Sequence, residues 1–114
     1  MPLTQHQLAQ VQQLLAPLIA PDPRPEVHDK LRHGYQVEGN AVVFYESRPR
    51  FQRPREWHDH HIAKFRYVAS RRRWLLYCQL SDLKWHRYEP LPESPDLETL
   101  VREVERDPTG IFFG

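Results

Sequence analysis

The chain has 114 residues, 39% of them hydrophobic and 27% charged, with a formal net charge of +1 at pH 7. This length suits one domain over residues 1–114 and removes roughly two-thirds of the unfolded surface from water, so a core needs neither metal nor disulfide. The lone Cys78 has no partner for an intramolecular disulfide, no stretch approaches the roughly 18 apolar residues of a membrane span, and no basic segment precedes an apolar leader, so a cytoplasmic protein is expected.

Thr4 and Gln7 are spaced as a capping box, and Leu8, Val11, Leu14, Leu15 and Leu18 recur at helical intervals. They predict an amphipathic helix over 4–16 that Pro17 ends or kinks. Prolines at 21, 23 and 25 read as a stiff turn. Residues 26–32 read as a short second helix with Val27 and Leu31 on one face and Gly34 as its end signal. From Tyr35 the period changes to two: Tyr35 and Val37, a Gly39-Asn40 link, then Val43 and Tyr45 form a hairpin pattern whose second strand, 41–47, stops near Pro49. A third strand covers 62–68, where Ala63, Phe65 and Tyr67 alternate with Lys64 and Arg66. Segments 74–80 and 84–88 flank a Ser81-Asp82 turn. Ser94-Pro95 starts a last helix striped by Leu97, Leu100, Val101 and Val104, and Asp107-Pro108 ends it. The class is α+β: an antiparallel meander of about five strands with the N-terminal and C-terminal helices on one face. The other face, with Lys64 and Arg66, is left to solvent.

Charge is sorted along the chain. Residues 48–73 carry nine Arg or Lys against two acids, whereas residues 89–114 carry seven acids against two bases. A sorted charge guides a polyanion, an acidic partner, or the protein's own acidic end. Arg48, Arg50, Arg53 and Arg55 lie in a stretch punctuated by Pro49 and Pro54, which reads as a stiffened loop. Guanidinium forks suit phosphate or carboxylate oxygens, and Phe51 and Trp57 among them offer rings for stacking on bases, the chemistry of single-stranded nucleic-acid binding. Arg71, Arg72 and Arg73 mark a hairpin tip that contacts phosphate or pairs with Glu89, Glu93, Asp96 and Glu98. The small net charge and the lack of a docking motif argue against a dedicated duplex binder. The leading expectation is a non-enzymatic binding module for nucleic acid or an acidic protein, using Arg48, Arg50, Arg53, Arg55, Trp57, Arg66, Arg71 and Arg72.

The competing class is a small metal-binding protein or metal-dependent enzyme. His58, Asp59, His60 and His61 offer ligands suited to zinc or another transition metal. In extended chain His58 and His60 share one side while Asp59 and His61 face the other, so the string supplies two convergent ligands, and His86 or Glu56 must add to them. No HExxH motif and no cysteine pair is present. Cys78 with His86 is the remaining nucleophile and base pairing, and the apolar run around Cys78 marks it as a buried small hydrophobe.

Read as an ordered set, Gly34-Tyr35, Val37-Glu38-Gly39, Glu46-Ser47-Arg48-Pro49, Ala63-Lys64-Phe65-Arg66-Tyr67, Trp74-Leu75-Leu76-Tyr77, Trp85-His86-Arg87-Tyr88 and the closing Asp107-Pro108-Thr109-Gly110-Ile111-Phe112-Phe113-Gly114 resemble a family of small uncharacterised bacterial proteins, a domain of unknown function with a tail of the form DPTGxFxG. The similarity covers nearly the whole domain after the first helix. It implies a shared small fold and supplies no activity, cofactor or catalytic residue. In physical terms, Asp107 and Thr109 suit turn bonds around Pro108, Gly110 suits an unusual dihedral, and Ile111, Phe112 and Phe113 suit an apolar tail tucked against the sheet.

Overall fold

The computed structural model describes residues 2–20, 24 and 31–114, without the side chain of Pro54. Helix α1 runs Gln5–Ile19 and is closed by the expected box: the Gln7 N–H donates to Thr4 Oγ1 at 3.1 Å and the Thr4 N–H to Gln7 Oε1 at 2.9 Å. The helix continues one half-turn past Pro17 to Ile19, because proline removes one donor without forbidding the next, and the Ala20 N–H still reaches the Ala16 carbonyl at 3.0 Å. The expected short helix over 26–32 lies outside the described residues up to residue 30, and Arg32 opens a strand instead.

Strands β1 (Arg32–Glu38), β2 (Ala41–Arg50), β3 (Arg53–Val68), β4 (Arg73–Gln79) and β5 (Trp85–Arg87) pair antiparallel in chain order. The short β6 (Glu93–Ser94) shares the outer edge of β4 with β5, so the meander has the five strands expected and a sixth fragment that the sequence pattern did not mark. Helix α2 (Leu97–Arg106) is capped by Asp96, whose carboxylate accepts from the Glu98 N–H at 3.1 Å. Ser94, the expected cap, belongs to β6 and accepts from the Asp96 N–H.

One face of the sheet and both helices build one hydrophobic cluster: Val42, Phe44, Ile62, Ala63, Phe65, Trp74, Leu76, Cys78 and Tyr88 from the sheet side, Val11 and Leu15 from α1, and Leu97, Leu100, Val101 and Val104 from α2. Alternation puts Val43, Lys64, Tyr77 and Arg87, which lie opposite one another in register, on the other face. A bulge after Phe44 keeps both sides consistent. Phe44 pairs Ala63 and Tyr45 pairs His61, so Ile62 is the extra residue and its side chain joins the core.

The principal correction concerns residues 48–61. They form the end of a long hairpin, not a loop beside a strand limited to 62–68. Backbone pairing carries Arg48↔His58 and Pro49↔Trp57 out to Arg50↔Arg53, with a register shift between the last two. Pro49 fits there because proline is tolerated at bulges and edges. Within the described residues β1 reaches only as far as Ser47 and β4 only as far as Ala63, leaving a two-stranded arm beyond them.

Candidate functional site

The open face of the sheet is built in rows. Across its middle, register sets Lys64, Tyr77 and Arg87 side by side on β3, β4 and β5. Lys64 Nζ lies 5.9 Å from the centre of the Tyr77 ring, and the Arg66 and Arg87 guanidinium carbons are each 5.9 Å from it. In the next row His61 stacks on Trp85, centroids 5.6 Å apart and planes 11° from parallel, with Lys64 Nζ 6.0 Å above the indole. Farther along β3, Arg32 covers Trp57 at 4.1 Å. Distances near 6 Å are the outer limit of cation–π attraction, so the cations fence the Tyr77 ring without capping it and move aside at small cost.

The floor under these side chains is apolar. Val43 and Leu75, on the open face, are only 1% and 2% exposed because the long side chains around them lie along the sheet. Gly34, expected to end a helix, sits in β1 where it makes room for an aromatic neighbour: a Cβ there would stand 2.6 Å from Tyr45 Oη. Tyr45 therefore lies down across β1 and extends the aromatic surface. Acids on this side are engaged. Glu93 holds Arg71 at 2.9 Å and Arg87 at 3.5 Å, and Asp59 accepts from Ser47 Oγ at 2.7 Å.

The expected binding residues separate into four places. Trp57 and Arg66 stand on the open face with Tyr77 and Trp85. Arg50 and Arg53 flank the turn of the arm, sharing Glu56 at 3.7 and 3.6 Å, and exposed Arg55 follows on the same arm. Arg48 turns to the helix side, where it bonds Glu46. Arg71 and Arg72 lie at the β3–β4 turn, with Arg72 in the left-handed conformation at φ 52° and Arg71 paired to Glu93, one of the acids expected for it. Charge counting missed Tyr77, Trp85, Arg87, Tyr45 and Arg32. The signal was strand parity: if Leu76, Cys78, His86 and Tyr88 point inward, then Tyr77, Trp85 and Arg87 point outward.

The histidines divide as alternation requires. His58 and His60 meet edge to face at 4.6 Å on the helix side, while His61 is on the open face. His86 pairs with Cys78 across β4 and β5, and its Nε2 is 2.9 Å from Asp82 Oδ2. Among the described residues no three His, Cys, Asp or Glu side chains gather as a metal-binding group. The Lys84 N–H and then His86 hold the Asp82 carboxyl below its usual range, whereas burial pushes the Cys78 thiol up. A cavity of about 320 Å³ beside that thiol is lined by His86, Tyr88, Thr109 and Ile111 among others. With its pKa raised, the Cys78 thiol stays protonated at neutral pH and is a poor nucleophile.

At the C-terminus Phe112 alone of the three apolar tail residues is buried, at 7% exposure, 4.9 Å from the Tyr88 ring. Phe113 rests edge-on against His33 and Phe44 while staying half exposed, and Ile111 is exposed. No helix of the described residues is long and apolar enough to cross a membrane.

Searches of curated proteins and of solved structures return no match to this chain. A family profile matches residues 3–114, which takes in the whole sheet, both helices and the open face; the chain belongs to the family described as a domain of unknown function, DUF3024.

Proposed function

We propose that this domain is a non-enzymatic, cytosolic binding module that holds single-stranded nucleic acid across the open face of its sheet. The observation that carries the reading is the row Lys64–Tyr77–Arg87 with the His61–Trp85 stack beside it. Rings that lie on a rigid sheet stack on bases of any sequence, and cations beside each ring meet the phosphates that flank a stacked base. An acidic peptide would need only the cations. The aromatic surface, and the apolar floor of Val43 and Leu75 that orients it, favour a planar ligand. The helices occupy the other face, so a strand lying on this one meets no obstruction from them.

The experiment is fluorescence anisotropy with labelled 12-nucleotide oligothymidylate and oligouridylate at low salt, with polyglutamate as competitor. Loss of one stacking ring costs about 1–3 kcal/mol, so Tyr77→Ala and Trp85→Ala each weaken binding roughly 5- to 150-fold. Polyglutamate that displaces either oligonucleotide at equal charge concentration, or wild-type protein that leaves both unbound at low salt, refutes the proposal.

A further inference from the structure

The arm is the part of the basic segment that the open face does not use. Its turn, Phe51-Gln52, follows the pair Arg50↔Arg53, and Phe51 is 99% exposed. Two features there run against stability. A phenylalanine is held wholly in water, and two arginines are set directly opposite, an arrangement that repels across a strand pair. Glu56 relieves part of that repulsion by reaching both guanidinium groups, yet Arg55 is exposed beside it, so the tip keeps a net positive charge. Three residue pairs beyond Ser47 give the arm a reach of about 10–13 Å at roughly 3.3 Å per residue. The same strand, β3, carries Trp57 and His61 back toward Trp85 and Tyr77, so tip and open face lie along one track.

We propose that the tip of the β2–β3 arm is a stacking wedge: Phe51 inserts between two neighbouring bases of the strand held on the open face, while Arg50, Arg53 and Arg55 hold the phosphates on either side. This rests on the reading of the open face as a single-strand platform and adds a second contact to it. An apolar side chain placed between two bases unstacks them, and cations beside it offset the repulsion of the phosphates brought close to the tip. The arm's two strands and the proline in β2 hold the ring out at a fixed distance, which lowers the entropy lost on insertion.

The test uses oligothymidylate with 2-aminopurine at successive positions, a base that brightens when it leaves its stack. Wild-type protein is expected to brighten one position or two adjacent ones. Phe51→Ala abolishes that rise and weakens binding roughly 10-fold, within the range for one stacked base, while the salt dependence is unchanged because no charge is lost. Phe51→Trp restores both signals and Phe51→Leu does not restore the affinity. The Arg50→Ala, Arg53→Ala pair lowers the slope of log K against log salt by about 1.4, at roughly 0.7 per phosphate contact on a single strand. Thermal melting of each variant checks that the fold is intact, as expected for Phe51 at 99% exposure and for two arginines held only by a solvent-exposed ion pair with Glu56. If Phe51→Ala binds within twofold of wild type while Tyr77→Ala weakens binding, the wedge is overturned and the open-face platform stands. If Phe51→Ala binds like wild type and its only effect is release from anionic phosphatidylserine vesicles, the tip is a lipid contact and the wedge is likewise overturned. If wild-type protein does not bind the oligonucleotide at low salt, both fall.

Discussion

Replacing Asp107 by alanine is expected to release the C-terminal tail at a cost of about 3 kcal/mol. Asp107 ends α2 in the left-handed conformation at φ 47°, its own N–H still bonded to the Glu103 carbonyl at 2.9 Å. From there its carboxylate accepts three backbone N–H groups: Phe112 at 3.0 Å, Phe113 at 2.8 Å and Gly114 at 3.2 Å. Those bonds turn the chain so that Phe112 reaches Tyr88. Hydrogen bonds to a charged group contribute about 1.5–3 kcal/mol each when buried. The Phe113 and Gly114 bonds are exposed and water replaces them, so only the part-buried Phe112 bond counts near full value. Aspartate already carries its Cβ in the left-handed region and eases the strain through its short polar side chain; alanine keeps the Cβ and loses that relief, which adds some fraction of the roughly 1–2 kcal/mol that the region costs an ordinary residue. Asparagine keeps the backbone preference and one acceptor, so Asp107→Asn should lose only about 1–2 kcal/mol. Urea unfolding of the two variants measures both. A loss below about 0.5 kcal/mol for Asp107→Ala, the scatter typical of a neutral surface change, refutes the latch, and equal losses for the two variants refute the part assigned to the left-handed backbone.

Gly34→Ala places a Cβ 2.6 Å from Tyr45 Oη and 2.8 Å from Cζ. The ring is on the open face and can swing away, so the expected cost is about 1–2 kcal/mol with a changed near-ultraviolet tyrosine signal; an unaltered signal contradicts the packing. Tyr88→Phe removes the bond from the Tyr88 hydroxyl to Glu103 Oε2 at 2.7 Å and should cost about 1 kcal/mol at neutral pH. Burial, and then that bond, raise the Tyr88 phenol above its ordinary value of about 10. A raised native pKa contributes stability fully below the unfolded value and loses it as pH rises through the native one, so the gap between wild type and variant should shrink above about pH 10. Unfolding curves on either side of that pH check it, and a gap that widens there is the contradicting result.

The α+β class, the meander and the stripes of both helices follow from short-range periodicity, which is why they are legible residue by residue. Lys64 and Arg66 alternate with Ala63, Phe65 and Tyr67, and that local pattern alone assigns the open face. The arm was not legible because Pro49 and Pro54 are turn signals locally, whereas the cross-strand register from Ala41 to Arg50 overrides them through pairing with residues distant in sequence. Gly34 failed for a related reason: its role is set by Tyr45 on the next strand, not by its neighbours in the chain. Counting charge found Arg66 and Trp57 but gave Tyr77 and Trp85 no weight, since Tyr77 sits in an apolar run that looks like core and Trp85 lies in a short strand beyond the basic segment. Only the inward positions of Leu76 and Cys78 show that Tyr77 must face out.

The central claim is that the cations of the open face meet phosphates while its rings hold bases, and the salt dependence of binding tests it most directly. Three or four contacts from Arg32, Lys64, Arg66 and Arg87 contribute about −2 to −3 to the slope of log K against log salt for a single strand, measured with the Arg50→Ala, Arg53→Ala variant so that the arm adds nothing from those two residues, with Arg66→Ala reducing its magnitude by about 0.7 and Tyr77→Ala leaving it unchanged while affinity falls. A slope near zero, or an Arg66→Ala variant that binds with unchanged affinity and slope, would contradict the account.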